Sequence, residues 1–158
     1  MKHRRLFAAL LLAALAALAL AGPASAAKIG GADQGGRPFS TELTGEAEVN
    51  NEGVPNQGDL DGTGSATITV NPGQGEVCYE LSVSGIAPAE AAHIHEAPVG
   101  VAGDVVVPLL PPTDGSSSGC VDVSRTLAKD ILKNPADYYV NVHNEPFPGG
   151  ALRGQLSK

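Results

Sequence analysis

From residue 39 onward, short runs of the chain alternate hydrophobic and polar side chains, which is the pattern of half-buried β-strands. Residues 65–70 alternate Ala, Ile and Val with Ser and Thr, and residues 77–83 alternate Val, Tyr, Leu and Val with Cys, Glu and Ser. Between them, residues 71–75 have the sequence Asn-Pro-Gly-Gln-Gly. Proline fixes φ and glycine accepts a positive φ, so this segment favours a tight turn. The two runs therefore predict a β-hairpin.

Similar runs predict six further strands, and one segment has helical spacing instead. In that segment, Leu127, Ile131 and Leu132 fall on one side, Ser124 can cap the N-terminus and Pro135 can end the helix. No long β-α-β unit is present, so the strands are expected to pair antiparallel. We therefore predict an all-β fold, an antiparallel β-sandwich or flattened barrel of about seven to nine strands with one short helix. The further strands are expected at residues 39–49, 92–95, 105–109, 119–123, 138–143 and 151–156, and the helix at residues 124–133.

The first 26 residues have the three parts of a secretory signal peptide. A basic stretch at residues 2–5 precedes an apolar run of about 16 residues, and the small residues at 24–26 suit a signal peptidase. The run is shorter than the ~20 residues that span a bilayer, so we expect residues 1–26 to be cleaved, leaving no membrane span in the mature chain. The prediction is a secreted or extracytoplasmic protein, with a flexible leader at residues 27–38 and one β domain at residues 39–158.

The charge balance narrows the classes of partner. Cleavage after residue 26 would remove three of the ten Lys and Arg residues and none of the seventeen Asp and Glu residues, so the net charge would change from −7 to −10. Such a surface repels phosphate backbones, and we predict no binding to nucleic acid. It can attract divalent cations. The expected partner is an extracellular one that the sequence does not identify.

Two cysteines, Cys78 and Cys120, lie in the predicted exported domain. In an oxidising compartment a disulfide between them is the default. The alternative is a pair of soft metal ligands, but these cysteines form no Cys-x-x-Cys pair and have no histidine close in sequence. We therefore predict a disulfide bond.

Three histidines, His93, His95 and His143, lie in predicted strands, and the alternation along each strand orients them. In residues 92–95 both histidines share one face and an isoleucine takes the other; in residues 138–143 the histidine, an asparagine and a tyrosine share the face opposite two valines. The β-branched residues are expected to point into the core. All three histidines are then expected to point away from it.

This arrangement suggests a metal site. The two imidazoles of a His-x-His strand stand roughly 6.5–7 Å apart at the backbone, so both can reach one ion, and a third from a neighbouring strand would complete a three-nitrogen site for copper or zinc. The fourth position is expected to hold water or a carboxylate, with Glu96 and Glu145 as candidates. Asn141 and Arg153 are candidates for holding ring orientation from the outer sphere. The alternative interpretation is that the histidines are polar surface residues, hydrogen-bonded to each other and to loop carbonyls.

No residue set predicts a catalytic site. The chain has neither the Gly-x-Gly-x-x-Gly phosphate cradle nor the Gly-x-Ser-x-Gly elbow of hydrolases. The acidic pairs Glu46/Glu48 and Asp59/Asp61 are interpreted as solvated faces or weak calcium contacts. The sequence therefore names no enzymatic reaction.

Two separated motifs resemble the CHRD domain, which was first recognised as a repeat in chordin and is found also in bacterial secreted proteins. Ala-His-Ile-His at residues 92–95, followed by two glycines and Val-Val-Val at 105–107, resembles the central motif of that family. Asn-Pro-Ala-Asp-Tyr-Tyr-Val-Asn-Val-His at 134–143, followed by Pro-Gly-Gly and Leu-Arg-Gly-Gln-Leu, resembles its C-terminal signature. The resemblance covers about residues 39–156. It implies an all-β extracellular domain with no established enzymatic activity.

A fainter likeness is to the copper site of copper/zinc superoxide dismutase. His-Ile-His-Glu at residues 93–96, Val142-His143 and Arg153 are similar to residues around that copper. No histidine is left for the bridging or zinc positions, so the likeness implies a lone copper or zinc site at most. Two hypotheses follow: a non-enzymatic binding or structural module outside the cell or in its envelope, or a metal-dependent redox protein with a three-histidine site.

Overall fold

The computed structural model describes residues 36–157, which form eight strands and one α-helix. The predicted signal peptide, residues 27–35 of the predicted leader and Lys158 lie outside the described residues. No helix within residues 36–157 has the length and hydropathy that a bilayer span requires. In chain order the elements are β1 Arg37–Thr44, β2 Thr63–Asn71, β3 Glu76–Ser84, β4 Ala89–Glu96, β5 Asp104–Leu109, β6 Ser116–Asp122, α1 Arg125–Lys133, a 3-10 turn Pro135–Asp137, β7 Tyr138–Asn144 and β8 Phe147–Gln155.

The strands form one antiparallel sheet in the order β5-β4-β7-β8-β1-β2-β3-β6. The sheet curls until its two outer strands approach each other. There the hydroxyl of Tyr79 accepts a hydrogen bond from the Leu110 amide at 2.9 Å, and Ser117 Oγ donates to the Leu110 carbonyl at 2.7 Å. The result is a flattened, nearly closed barrel. The predicted all-β antiparallel class, with its eight strands and short helix, is confirmed.

The core fills the inside of this curled sheet with the β-branched and aliphatic residues of the alternating runs. Ile68, Val77 and Ile94 are fully buried there. The helix α1 packs on the same core through Ala128 and Ile131, and its first turn is capped as predicted, with Ser124 Oγ accepting from the Leu127 amide at 3.0 Å. Sheet and helix therefore share one hydrophobic core.

The first strand ends five residues earlier than the predicted end at residue 49. A side chain at Gly45 would collide with the Asp59 backbone, so this glycine lets the chain turn sharply out of the sheet. Residues 45–56 then fold back over the outer face, where Val49 pairs with Pro55 in an isolated bridge. The alternation after Thr44 therefore marks a covering segment rather than more strand.

The predicted disulfide is confirmed. Cys78 on β3 and Cys120 on β6 are directly opposed and bonded. The bond ties the outer strand β6 to its neighbour and closes a loop with a sequence separation of 42 residues. Closing a loop of this length contributes typically 2–4 kcal/mol, mainly by restricting the unfolded chain.

Candidate metal centre

The three histidines come together because β4 and β7 are neighbours in the sheet. In that antiparallel pair His93 lies opposite Asn141, His95 opposite Tyr139, and His143 opposite Ala91. The predicted orientation is confirmed, since the residues alternating with the histidines (Ile94, Val140 and Val142) are fully buried in the core on the other face. Two sequence segments about 50 residues apart therefore place three imidazoles on one patch of sheet.

The imidazoles are close enough to share one ion. His93 Nδ1 lies 3.2 Å from His143 Nε2, and the three ring centroids are 5.1–6.0 Å apart. One ring nitrogen from each residue lies within 4.8 Å of the other two. Metal–nitrogen bonds of about 2.0–2.1 Å place ligand nitrogens roughly 3.3–3.6 Å apart in trigonal or tetrahedral sites. Side-chain movements of about one ångström would therefore bring the three ring nitrogens to the distances of a metal site.

Two backbone carbonyls fix which nitrogens are available. His95 Nδ1 lies 2.9 Å from the Gly103 carbonyl, and His143 Nδ1 lies 3.1 Å from the Pro148 carbonyl. A carbonyl only accepts, so each Nδ1 carries the proton and each Nε2 keeps a lone pair. Carbonyls and carboxylates hold metal-binding histidines in just this way. His143 Nε2 then accepts the hydrogen bond from His93 Nδ1 at 3.2 Å. His93 must therefore move its proton to Nε2 before its Nδ1 can join Nε2 of His95 and Nε2 of His143 as a metal ligand.

The electrostatic surroundings favour neutral imidazoles, the form that binds metals. Burial lowers the pKa of His93, and the adjacent His143 lowers it further. Burial also lowers the pKa of His95 and of His143, although the carbonyl bonded to each ring opposes that shift. These pKa shifts therefore favour the neutral form of all three rings.

Acidification is expected to destabilise the metal-free domain, beginning near pH 6.5. The folded-state pKa values of the three histidines lie below the unfolded value of about 6.5, so the unfolded chain binds more protons and the free energy of unfolding falls as the pH drops through that value. Urea denaturation with EDTA from about pH 8 to pH 5 checks this. His143→Gln should flatten the slope, and a parent stability that stays level or rises over this range would contradict it.

The outer face around the histidines is itself covered. Arg153 is only 2% exposed, and its guanidinium carbon lies 3.5 Å above the Tyr139 ring, while His95 stacks on the same ring with a centroid distance of 4.8 Å. Since β4 and β8 flank β7, these two residues hold the tyrosine between them. The face that the alternation assigns to solvent is thus a second, polar layer, and His95 is only 8% exposed.

The loop between β4 and β5 is fastened over this layer. Arg153 donates to the Pro98 carbonyl at 3.1 Å, and Gln155 donates to the Ala97 carbonyl at 2.9 Å. The Gly103 amide donates to the Tyr139 hydroxyl at 3.1 Å. These bonds hold the loop whose Gly103 carbonyl orients His95, so the Arg-Gly-Gln run of β8 supports the site from the outer sphere.

The other predicted residues lie in three different places, and only one of the three stands on the histidine face. Asn141, in the row of His93, is 1% exposed and donates to the Leu152 carbonyl at 2.8 Å. Glu96 has the parity of Ile94, so it lies on the opposite face, exposed and opposite Tyr138 in the sheet. Glu145 is exposed in the turn after β7. Neither of these two carboxylates belongs to the convergent cluster.

The carboxylate on the histidine face is Glu48, which sequence reasoning grouped with Glu46 as a solvated pair. Glu46 is exposed, but Glu48 is only 3% exposed. Its Oε2 accepts from Asn141 Nδ2, and its Oε1 accepts from the Val49 amide at 3.0 Å. Burial raises the pKa of Glu48, against the lowering effect of those bonds and of Arg153. No sequence signal distinguishes Glu48 from Glu46, because residues 44–49 alternate like the strand that precedes them.

Comparison with known proteins agrees with the sequence motifs. The family model described as CHRD domain matches residues 39–156, which is most of the chain. No curated protein and no solved structure matches. The matched range contains all eight strands except the first two residues of β1. It also contains the disulfide and the three clustered histidines.

Proposed function

Since this chain belongs to the CHRD domain family, we propose that it is an exported CHRD domain that binds one copper or zinc ion through His93, His95 and His143. Its expected location outside the cytoplasm is supported by the disulfide, which is typical of oxidising compartments, and by the signal-peptide pattern of residues 1–26.

One observation carries the proposal: His95 Nε2 is buried and has no hydrogen-bond partner among the described residues. Leaving a buried polar atom unpaired costs about 1–3 kcal/mol, and native structures rarely tolerate it without a reason. Because the Gly103 carbonyl holds the proton on Nδ1, this bare atom is a lone pair. It points to a ligand that accepts electron pairs, and a metal ion is such a ligand.

The donor set selects the class of ion. Imidazole nitrogens suit copper and zinc better than calcium or magnesium, which prefer oxygen. Three protein ligands leave one position for water or another small ligand, as in open sites rather than closed structural ones. Bound copper would supply one-electron chemistry there and bound zinc a polarised water. The chain's own residues supply the neutral imidazoles and the two carbonyls that orient them.

Titration of the metal-free protein with Cu²⁺ and with Zn²⁺ tests the proposal. The expected result is one ion per chain, with electron paramagnetic resonance of the copper form showing hyperfine coupling to three imidazole nitrogens. Removal by EDTA is expected to lower the melting temperature, because an ion bound only to the folded state stabilises it. Binding that does not saturate at one ion per chain, or copper coordinated by oxygen alone, would contradict the proposal. The domain would then be a partner-binding or structural module.

A further inference from the structure

Glu48 is the single buried carboxylate among residues 36–157, and it lies on the histidine face. The segment that carries it leaves the sheet after β1 and folds over that face, with Gly45 packed against the Asp59 backbone. Burying an acidic side chain is unfavourable unless the carboxylate is hydrogen-bonded and its charge is paired. The nearby Glu46, which stays exposed on the same segment, shows that the segment itself does not force burial.

The hydrogen bonds of Glu48 favour its anionic form, while burial raises the pKa of the carboxyl. Both oxygens accept from N–H donors, Oε1 from the Val49 amide and Oε2 from the Asn141 side chain. Asn141 donates again to the Leu152 carbonyl, which fixes the orientation of its amide. Both hydrogen-bond partners of the carboxylate are N–H donors, so the geometry suits the anion.

The place of Glu48 in the sheet pattern links it to the metal ligands. It is bonded to Asn141, which lies between His93 on β4 and Arg153 on β8 in one row across three strands. Glu48 is not a ligand, because its oxygens are engaged and it is absent from the convergent cluster. Glu48 can therefore act on a bound ion through its negative charge. Its hydrogen bond to Asn141 holds that charge beside the row of His93, Asn141 and Arg153.

The charge balance of the site gives this carboxylate a role. Three neutral imidazoles bring no negative charge, and the buried guanidinium of Arg153 adds a positive one. A divalent ion would add two more positive charges to a partly desolvated face, where Coulomb interactions are several-fold stronger than in water. Glu48 is the one buried group there that can offset them.

We propose that the charge of Glu48 biases the three-histidine site toward divalent over monovalent ions. The proposal rests on the proposed metal-binding function and adds to it the class of ion, Cu²⁺ or Zn²⁺ rather than Cu⁺. The attraction between Glu48 and the ion scales with the ion's charge. Removing the carboxylate charge therefore weakens divalent binding twice as much, in free energy, as monovalent binding.

The test compares Glu48→Gln with Glu46→Gln in the full folded protein, measuring affinities for Zn²⁺ and for Cu⁺ by competition with chelators. For Glu48→Gln we expect Zn²⁺ affinity to fall about 10-fold, at the lower end of the range for outer-sphere partners. Cu⁺ affinity should fall about 3-fold, because half the charge gives half the change in free energy. For Glu46→Gln both should change less than about 2-fold, because that charge is exposed and screened. Glu48→Asp keeps the charge and should keep the Zn²⁺ to Cu⁺ ratio near that of the parent.

The ratio of the two affinities separates a charge effect from a merely structural one. Equal losses for both ions, or a Glu48→Gln protein indistinguishable from Glu46→Gln, would overturn the proposal while leaving the metal site standing. A loss of the ratio in Glu48→Asp as large as in Glu48→Gln would overturn it as well. A parent protein that binds neither ion would instead overturn the metal-binding function on which the proposal rests.

Discussion

Replacing His143 with alanine is expected to lower Cu²⁺ affinity by about 100-fold or more while the domain remains folded. The change removes one of three ligands, which should exceed the roughly 10–100-fold cost of losing an outer-sphere partner. The side chain is half-buried, and its hydrogen bonds are to His93 and to the Pro148 carbonyl of β8, so little packing is lost. Competition titration gives the affinity, and a thermal melt of the metal-free protein checks the fold.

The matched control is Glu145→Gln, two residues further along in the exposed turn. It should leave Cu²⁺ affinity within about 2-fold of the parent, because an exposed charge outside the cluster is screened by salt. A His143→Ala protein that binds copper as the parent does would show that the histidines are structural. Equal losses in both variants would show that the turn, rather than the imidazole, is what matters.

His143 makes a cleaner test than His95. The sequence pattern places all three histidines on an outer face, from which alanine would leave no cavity. In the structure His95 is covered by the β4–β5 loop and stacks on Tyr139. Alanine there would remove a ligand, a stacking partner and the anchor of the Gly103 carbonyl together. A loss of affinity could not then be assigned to the ligand alone.

Local alternation predicted the eight strands, although it misplaced the end of the first, and it gave the direction of the histidine side chains. Period-two runs gave the β2–β3 hairpin, and the same parity put the histidines opposite Ile94, Val140 and Val142. What parity does not give is strand adjacency. The convergence of His143 with the His-x-His pair depends on β4 and β7 being neighbours, although β5, β6 and α1 intervene in the chain. The amino-acid sequence alone does not show that pairing.

The covering layer was not predictable from the same rules. Residues 44–49 alternate like a strand, but Gly45 takes the chain out of the sheet because its Cα packs where a side chain would not fit. This long-range contact with Asp59 leaves no periodic signal. The burial of Glu48 follows from it, whereas His95 is covered by the β4–β5 loop, which Arg153 and Gln155 hold in place. Glu96 differs, because the parity that oriented the histidines already placed it with Ile94, on the other face.

The contact between Glu48 and β8 leads to the largest expected change in stability. Gly150→Ala is expected to lower the free energy of unfolding by about 5 kcal/mol. Gly150 has φ of 143°, in a region that L-residues rarely adopt, and a Cβ there would stand 2.7 Å from Asn141 Nδ2 and closer still to the Glu48 carboxylate. Backbone strain and overpacking each cost about 1–3 kcal/mol, and displacing a buried hydrogen-bonded carboxylate adds to them. Urea denaturation of the metal-free protein gives the value.

Gly149→Ala provides the control from the adjacent position. A Cβ on Gly149 meets no heavy atom within 4 Å, and its φ lies outside the positive region, so its stability should stay within about 0.5 kcal/mol of the parent. If the two alanine variants are equally stable, Glu48 is not packed against β8 as described. The double variant Gly150→Ala/Glu48→Ala should lose less free energy of unfolding than the sum of the two single variants. Truncating the carboxylate removes the collision, while the strain at φ 143° remains. An additive double variant would assign the whole cost to the backbone and none to the contact that places Glu48 beside the histidine face.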